Sequence, residues 1–235
     1  MFLIFISSSF WPEVGKSTVQ RDFQTWVNLK VLGDLHSSNK QLNHLKYEIE
    51  GQERFGDDSS RFTQTLVRSG LGYAVTKNTS LWLGYVWVHT GLPLTMRSFE
   101  EDRIWEQLLW TKKNQYLVFT SRTRLEQRFI ENRPKVAYRA RQLIKIAIPF
   151  KRYTKLSFVN SDELFWHKND FLGRNGRGFD QNRFFIGLGY QINSALSTEI
   201  GYLNQYVRRF GVPNFLANAL QINLNLSIYE ALDET

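Results

Sequence analysis

Between residues 116 and 129, Arg122, Arg124, Glu126 and Arg128 fall on alternate positions, while Leu117, Phe119, Leu125 and Phe129 hold the other parity. A β-strand sends successive side chains to opposite faces, so this run folds into a strand with one charged and one greasy side. A helix would scatter the same four charges around its circumference. The run is long enough to cross a bilayer, which takes about 9–11 tilted residues per strand. Whether the greasy side meets a protein core or lipid therefore governs what the chain can be.

The same alternation recurs. Residues 44–54 set Lys46, Glu48, Glu50, Gln52 and Arg54 against Leu45, Tyr47 and Ile49. Residues 136–148 set Arg139, Arg141 and Lys145 against Tyr138, Ile144, Ile146 and Ile148. Near the C-terminus, Leu220, Ile222, Leu224, Leu226 and Ile228 alternate with Gln221, Asn223, Asn225 and Ser227. Turn chemistry separates such runs, as in Gly56-Asp57-Asp58-Ser59-Ser60, where Gly, Asp and Ser accept unusual backbone angles. Read this way, strands fall at 23–32, 44–54, 63–75, 81–89, 103–111, 116–129, 136–148, 156–166, 181–191, 196–206 and 219–228. From the third strand onward, short connections near Asn78, Asn114, Pro149 and Asn193 alternate with longer ones near Gly91, Arg133, Lys168 and Arg208. Short periplasmic turns and long outer loops are the habit of transmembrane barrels.

The expected fold is thus all-β: a single antiparallel up-and-down transmembrane β-barrel of 10–12 strands. The eleven runs conflict with the even parity of bacterial single-chain barrels, and twelve is preferred, with the N-terminal region adding a strand. Residues 1–18 read as a leader or truncated signal segment, with an apolar core but no basic lead, and residues 19–235 as the barrel domain. Hydrophobic residues make up 42% of the chain, yet no window offers the roughly 20 apolar residues of a spanning helix. Aromatic residues reach 15% and recur near strand ends, as rings at bilayer interfaces would. A soluble β-sandwich, or a lipocalin-like barrel binding an apolar ligand, is the competing architecture. The lipocalin form has the reverse polarity, with the face 220–228 inward and Arg122, Arg124 and Arg128 in water.

Cysteine is absent, which removes disulfides, thiolate nucleophiles and Cys-ligated zinc. The formal net charge is +8, but the cations are spread over many strands among carboxylates, unlike the one-signed patch of a nucleic-acid binder. Outer-membrane lipids, including lipopolysaccharide phosphates, suit basic rims better. No HExxH, paired-histidine or Walker pattern occurs, so no metal or cofactor is expected. Gly173-Arg-Asn-Gly-Arg-Gly178 lies between strands rather than before a helix and reads as an outer loop.

These residues resemble a family of bacterial outer-membrane barrels catalogued as domain of unknown function 2490. The resemblance runs over about residues 22–228. It is carried by the Trp26 strand, Glu53-Arg54, Gly84-Tyr85, Trp105-Glu106-Gln107, residues Arg124 to Arg128, Tyr138-Arg139-Ala140-Arg141, Asn182-Arg183 and Gly201-Tyr202. It implies architecture and an outer-membrane location, with no activity attached.

The expected lumen lining is Glu48, Glu50, Arg54, Arg68, Arg122, Arg124, Glu126, Arg128, Arg139, Arg141 and Arg183. Inside a narrow barrel these form either an ion-paired plug or a selectivity lining for a small polar or anionic solute. The enzymatic alternative, an outer-membrane lipid or lipid A-modifying hydrolase, would rest on His89 or His167, the latter near Ser161, Asp162 and Glu163 in sequence. A passive or structural monomer is the preferred reading.

Overall fold

The computed structural model describes residues 19–35, 44–92, 95, 97–171 and 176–228. The leader expected at 1–18 lies outside them, as does the first half of the glycine-rich 173–178 loop. Each alternating run becomes a strand: β1 (Gln20–Asp34), β2 (Leu45–Gly56), β3 (Arg61–Thr76), β4 (Thr79–Thr90), β5 (Phe99–Lys113), β6 (Val118–Ile130), β7 (Ala137–Pro149), β8 (Leu156–His167), β9 (Gly178–Gln191), β10 (Leu196–Val207) and β11 (Phe215–Ile228). Every strand pairs with its sequence neighbour in antiparallel register, and β1 pairs with β11 in parallel to close the barrel.

That parallel seam resolves the parity conflict. With Gln20 opposite Phe215 and Gly33 opposite Ile228, the described strands close on one another at eleven, so the preference for twelve is corrected and the antiparallel rule fails at one joint. An odd strand number forces the first and last strands to run the same way, and only a parallel ladder can then join them.

The connections after β2, β4, β6, β8 and β10 gather at one rim, and those after β3, β5, β7 and β9 at the other. The two groups expected from loop length are therefore sorted to opposite ends. Asp57, Asp58 and Ser59 hold left-handed backbone at φ 55°, 55° and 63° after β2. Asp22 caps that turn, its carboxylate accepting from the Asp57 and Asp58 amides at 3.3 and 3.2 Å.

Outward positions form an apolar belt that includes Leu71, Leu83, Ile104, Leu125, Leu164, Ile186, Leu188 and Leu220. A 12-residue strand such as β2, tilted by about 40°, spans roughly 30 Å, enough for the apolar band of about 25 Å seen in membrane barrels. Leu220 is 40% exposed while Arg124 is 0% exposed, which is the opposite polarity to a lipocalin.

The aromatic residues divide. Tyr73, Trp110, Tyr138 and Trp166 point outward, whereas Trp26, Trp82, Trp105, Phe165 and Phe185 turn inward. Glycines make the room: a Cβ on Gly84 would sit 2.2 Å from the Ser69 carbonyl oxygen and 2.3 Å from the Trp105 ring, and one on Gly70 would lie 2.6 Å from the same ring. Two inward apolar clusters result, one around Trp82, Val86, Val88 and Trp105, the other around Trp26, Val159, Phe185 and Leu203.

Candidate functional site: a charged lattice inside the barrel

The pleat of β2 and of β5 through β9 carries charged side chains inward, where they meet across strands. Glu126 on β6 accepts from Arg139 Nε and Nη2 at 2.8 and 2.6 Å through one oxygen, and from Arg141 Nη1 at 2.6 Å through the other. Arg141 also donates to Glu163 at 3.0 Å, and the same Glu163 oxygen takes Arg122 at 2.6 Å. Arg139 reaches Asp180 at 3.1 Å. Glu101 is clasped by Arg103 at 2.7 Å and by Arg128 through both oxygens at 2.5 and 2.9 Å. Bidentate guanidinium–carboxylate pairs fix geometry as well as adding energy.

A second arm starts on β2. Glu48 pairs with Lys30 at 2.8 Å and lies 3.8 Å from Arg124, which also donates twice to Gln107 at 3.0 and 2.6 Å. Arg124 is in cation–π contact with Trp105, 4.3 Å from the ring centroid. Glu50 accepts from Arg68. Lys145 bridges to Glu199 at 2.5 Å.

All eleven residues read from the sequence as lumen-facing thus sit inside the wall, but not with one role. Nine belong to the ion-pair lattice, and Arg54 and Arg183 stand apart. Among the described residues Arg54 donates only to Gln52, at 2.8 Å, and lies 3.7 Å from the Trp26 ring centroid. Arg183 faces the Trp26 and Phe165 rings at 5.1 and 4.7 Å. Neither has a carboxylate within ion-pair distance among the described residues.

Sequence reading missed Glu101, Arg103, Gln107, Glu163, Asp180 and Glu199. On β5 the reason is plain: Glu100, Asp102 and Glu106 face outward while Glu101 and Arg103 face inward, so charge marks both faces and parity is lost. Trp105 shares the inward parity with Arg103 but does not break the tie, because tryptophan suits a lipid interface as well as a barrel interior.

The lattice surrounds an interior cavity of about 540 Å³, reached by Glu50, Arg54, Arg68, Arg122, Arg128, Arg139, Arg141 and Arg183, with Gln24, Gln52, Gln181 and Gln205 among the neutral polar groups. Glu48, Arg124 and Glu126 lie behind this lining as buried members of the network. At the rim Arg209 packs over the Phe215 ring, where burial holds its guanidinium below its ordinary pKa, and donates to Gln20 at 3.1 Å.

Among the described residues neither histidine is hydrogen-bonded to a serine or threonine hydroxyl. His89 faces outward, stacked on Trp87 and 4.0 Å from Glu100. His167 faces inward, 3.4 Å from Asp180 and against Phe171. Ser161 lies on the same strand as His167 but roughly 20 Å along it, at about 3.3 Å per residue, far beyond the reach of a base to a nucleophile.

Comparison with known proteins agrees with this architecture. A crystal structure of the NanC porin superposes with a TM-score of 0.52 over 88% of this chain and 99% of that one, at 12% identity. That likeness is one of fold: a porin-like barrel. An uncharacterised protein of Methylorubrum extorquens is 32% identical over 208 residues, 87% of each chain. The model of the protein family of unknown function DUF2490 matches residues 23–215, and this chain belongs to that family.

Proposed function

We propose that this chain is an integral outer-membrane β-barrel, monomeric, whose ion-paired lumen passes a small polar solute. The observation that carries the reading is the inversion of an ordinary protein. The charged lattice and a cavity of about 540 Å³ lie inside, and an apolar belt that includes Leu71, Leu83, Leu125 and Leu220 lies outside. Such a belt needs hydrocarbon around it, since contiguous exposed apolar surface of this extent is not tolerated in water. The porin-like fold supports the same reading.

The lattice narrows the path. At this strand number the lumen is only somewhat wider than the side chains that fill it, so a wide diffusion pore is disfavoured. The excess of guanidinium over carboxylate inside favours anionic solutes. The longer connections, with Arg133, Lys168 and Arg208, then face outward, where they meet lipopolysaccharide phosphates.

Single-channel conductance in planar bilayers tests this, using protein refolded in detergent and shown to be closed by a heat-dependent gel shift. Small discrete steps with anion preference are expected, and Arg122→Ala should alter the ion selectivity. Silence from a correctly closed barrel would overturn solute passage and leave a structural role.

A further inference from the structure

Among the cations of the described interior, Arg54 and Arg183 are distinguished by what they lack. Their neighbours on the lattice each have a carboxylate at 3.8 Å or less, for example Arg124 with Glu48 and Arg141 with Glu126. Among the described residues Arg54 has one neutral acceptor, Gln52, and Arg183 has aromatic faces, with the charge of Glu163 reaching it from beyond ion-pair distance. The Nε of each is buried without a hydrogen-bond partner, as are those of Arg68 and Arg122, so it is the missing carboxylate that sets the two apart. Arg54 is 7% exposed, and the charges acting on it most strongly are other guanidiniums, led by that of Arg183.

Cation–π contact does not account for this placement. Such a contact is a modest attraction. Removing a guanidinium from water costs more than that even after relaxation, and mutual repulsion adds to it. An anion in the cavity that both side chains border would offset both costs, because a guanidinium fork matches the oxygens of a carboxylate or phosphate. A space of about 540 Å³ is within the ordinary range for small-ligand sites and leaves room for the rest of the solute.

We infer that Arg54 and Arg183, gathered around Trp26, form a binding site for the oxyanion group of a small solute, a carboxylate or a phosphate. The site gives the proposed solute path a specific stopping point, and in that sense rests on it. Binding itself is read without a membrane, so the two ideas can fail separately.

The experiment is calorimetric titration of the full chain, folded in a non-ionic detergent, with acetate, inorganic phosphate and chloride at constant ionic strength. Saturable heat with acetate or phosphate is expected. Preference for acetate assigns a carboxylate solute, and preference for phosphate a phosphorylated one. Arg54→Gln and Arg183→Gln should each weaken binding at least tenfold while retaining the heat-dependent gel shift, and Lys113→Gln should leave it unchanged. If either glutamine variant fails to close, Arg54→Met or Arg183→Met takes its place. Equal response to chloride, or oxyanion binding indifferent to both arginines, would overturn the site, whatever the bilayer recording shows.

Discussion

Glu126 holds two guanidiniums, one on each oxygen, and is almost completely buried. Removing it leaves Arg139 with Asp180 and Arg141 with Glu163, so part of the charge stays compensated while the centre of the lattice becomes cationic. Breaking a buried ion pair by deleting one partner costs about 3–5 kcal/mol, so Glu126→Ala should lower the urea midpoint of the gel shift by that equivalent. Glu126→Gln should cost less, since an amide oxygen still accepts. A Glu126→Ala midpoint equal to wild type would show that the lattice does not hold the barrel together. Arg54 predicts the opposite sign. With no carboxylate to strand, Arg54→Met should leave stability unchanged or raise it in anion-free buffer, and a loss as large as that of Glu126→Ala would refute this account of the unpaired cations.

Strands β3, β4 and β5 fit one another because two glycines give up their side chains to Trp105. A Cβ at Gly84 would collide with backbone, the Ser69 carbonyl oxygen at 2.2 Å, so Gly84→Val cannot be absorbed by a rotamer change. Gly51 on β2 has nothing within 4 Å of the same added atom. We expect Gly84→Val to abolish the gel shift and Gly51→Val to retain it, and equal behaviour of the two would mean that the Trp105 packing is not what sets this part of the wall. This contrast also marks how far the sequence could be read. Strand positions were legible because Lys46 to Arg54 and Arg139 to Lys145 alternate with apolar residues, and a period of two has no other geometric reading. The inward aromatic residues were not legible, since Trp26, Trp82 and Trp105 suit a lipid interface equally well by composition. Their placement depends on register, Trp105 lying opposite Gly84 and Gly84 opposite Gly70, and pairing register is not a property of any one strand. The split of Arg54 and Arg183 from their neighbours was hidden for the same reason, because a partner's presence depends on which carboxylates the other strands deliver.

The closing of the wall is the most non-local event in the molecule. Ten joints are antiparallel ladders between sequence neighbours, whereas the eleventh brings Gln20 to Phe215 across nearly the whole chain. Non-local pairing must wait until the loop cost of joining distant segments has been met. During refolding from urea into detergent, the far-ultraviolet β signal should therefore develop before the heat-dependent gel shift, and simultaneous growth of both would contradict a seam that forms last. The odd count has a second outcome. β1 sets out from the rim shared by the connections after β2 and β4, and β11, running parallel to it, finishes at the opposite rim. The first and last described strands thus open and close at different mouths, which makes the wall its own compass: in the proposed membrane setting, reporters inserted directly before Gln20 and directly after Ile228 should fall in separate aqueous compartments, so the ratio of their accessibilities would read insertion direction within a single polypeptide.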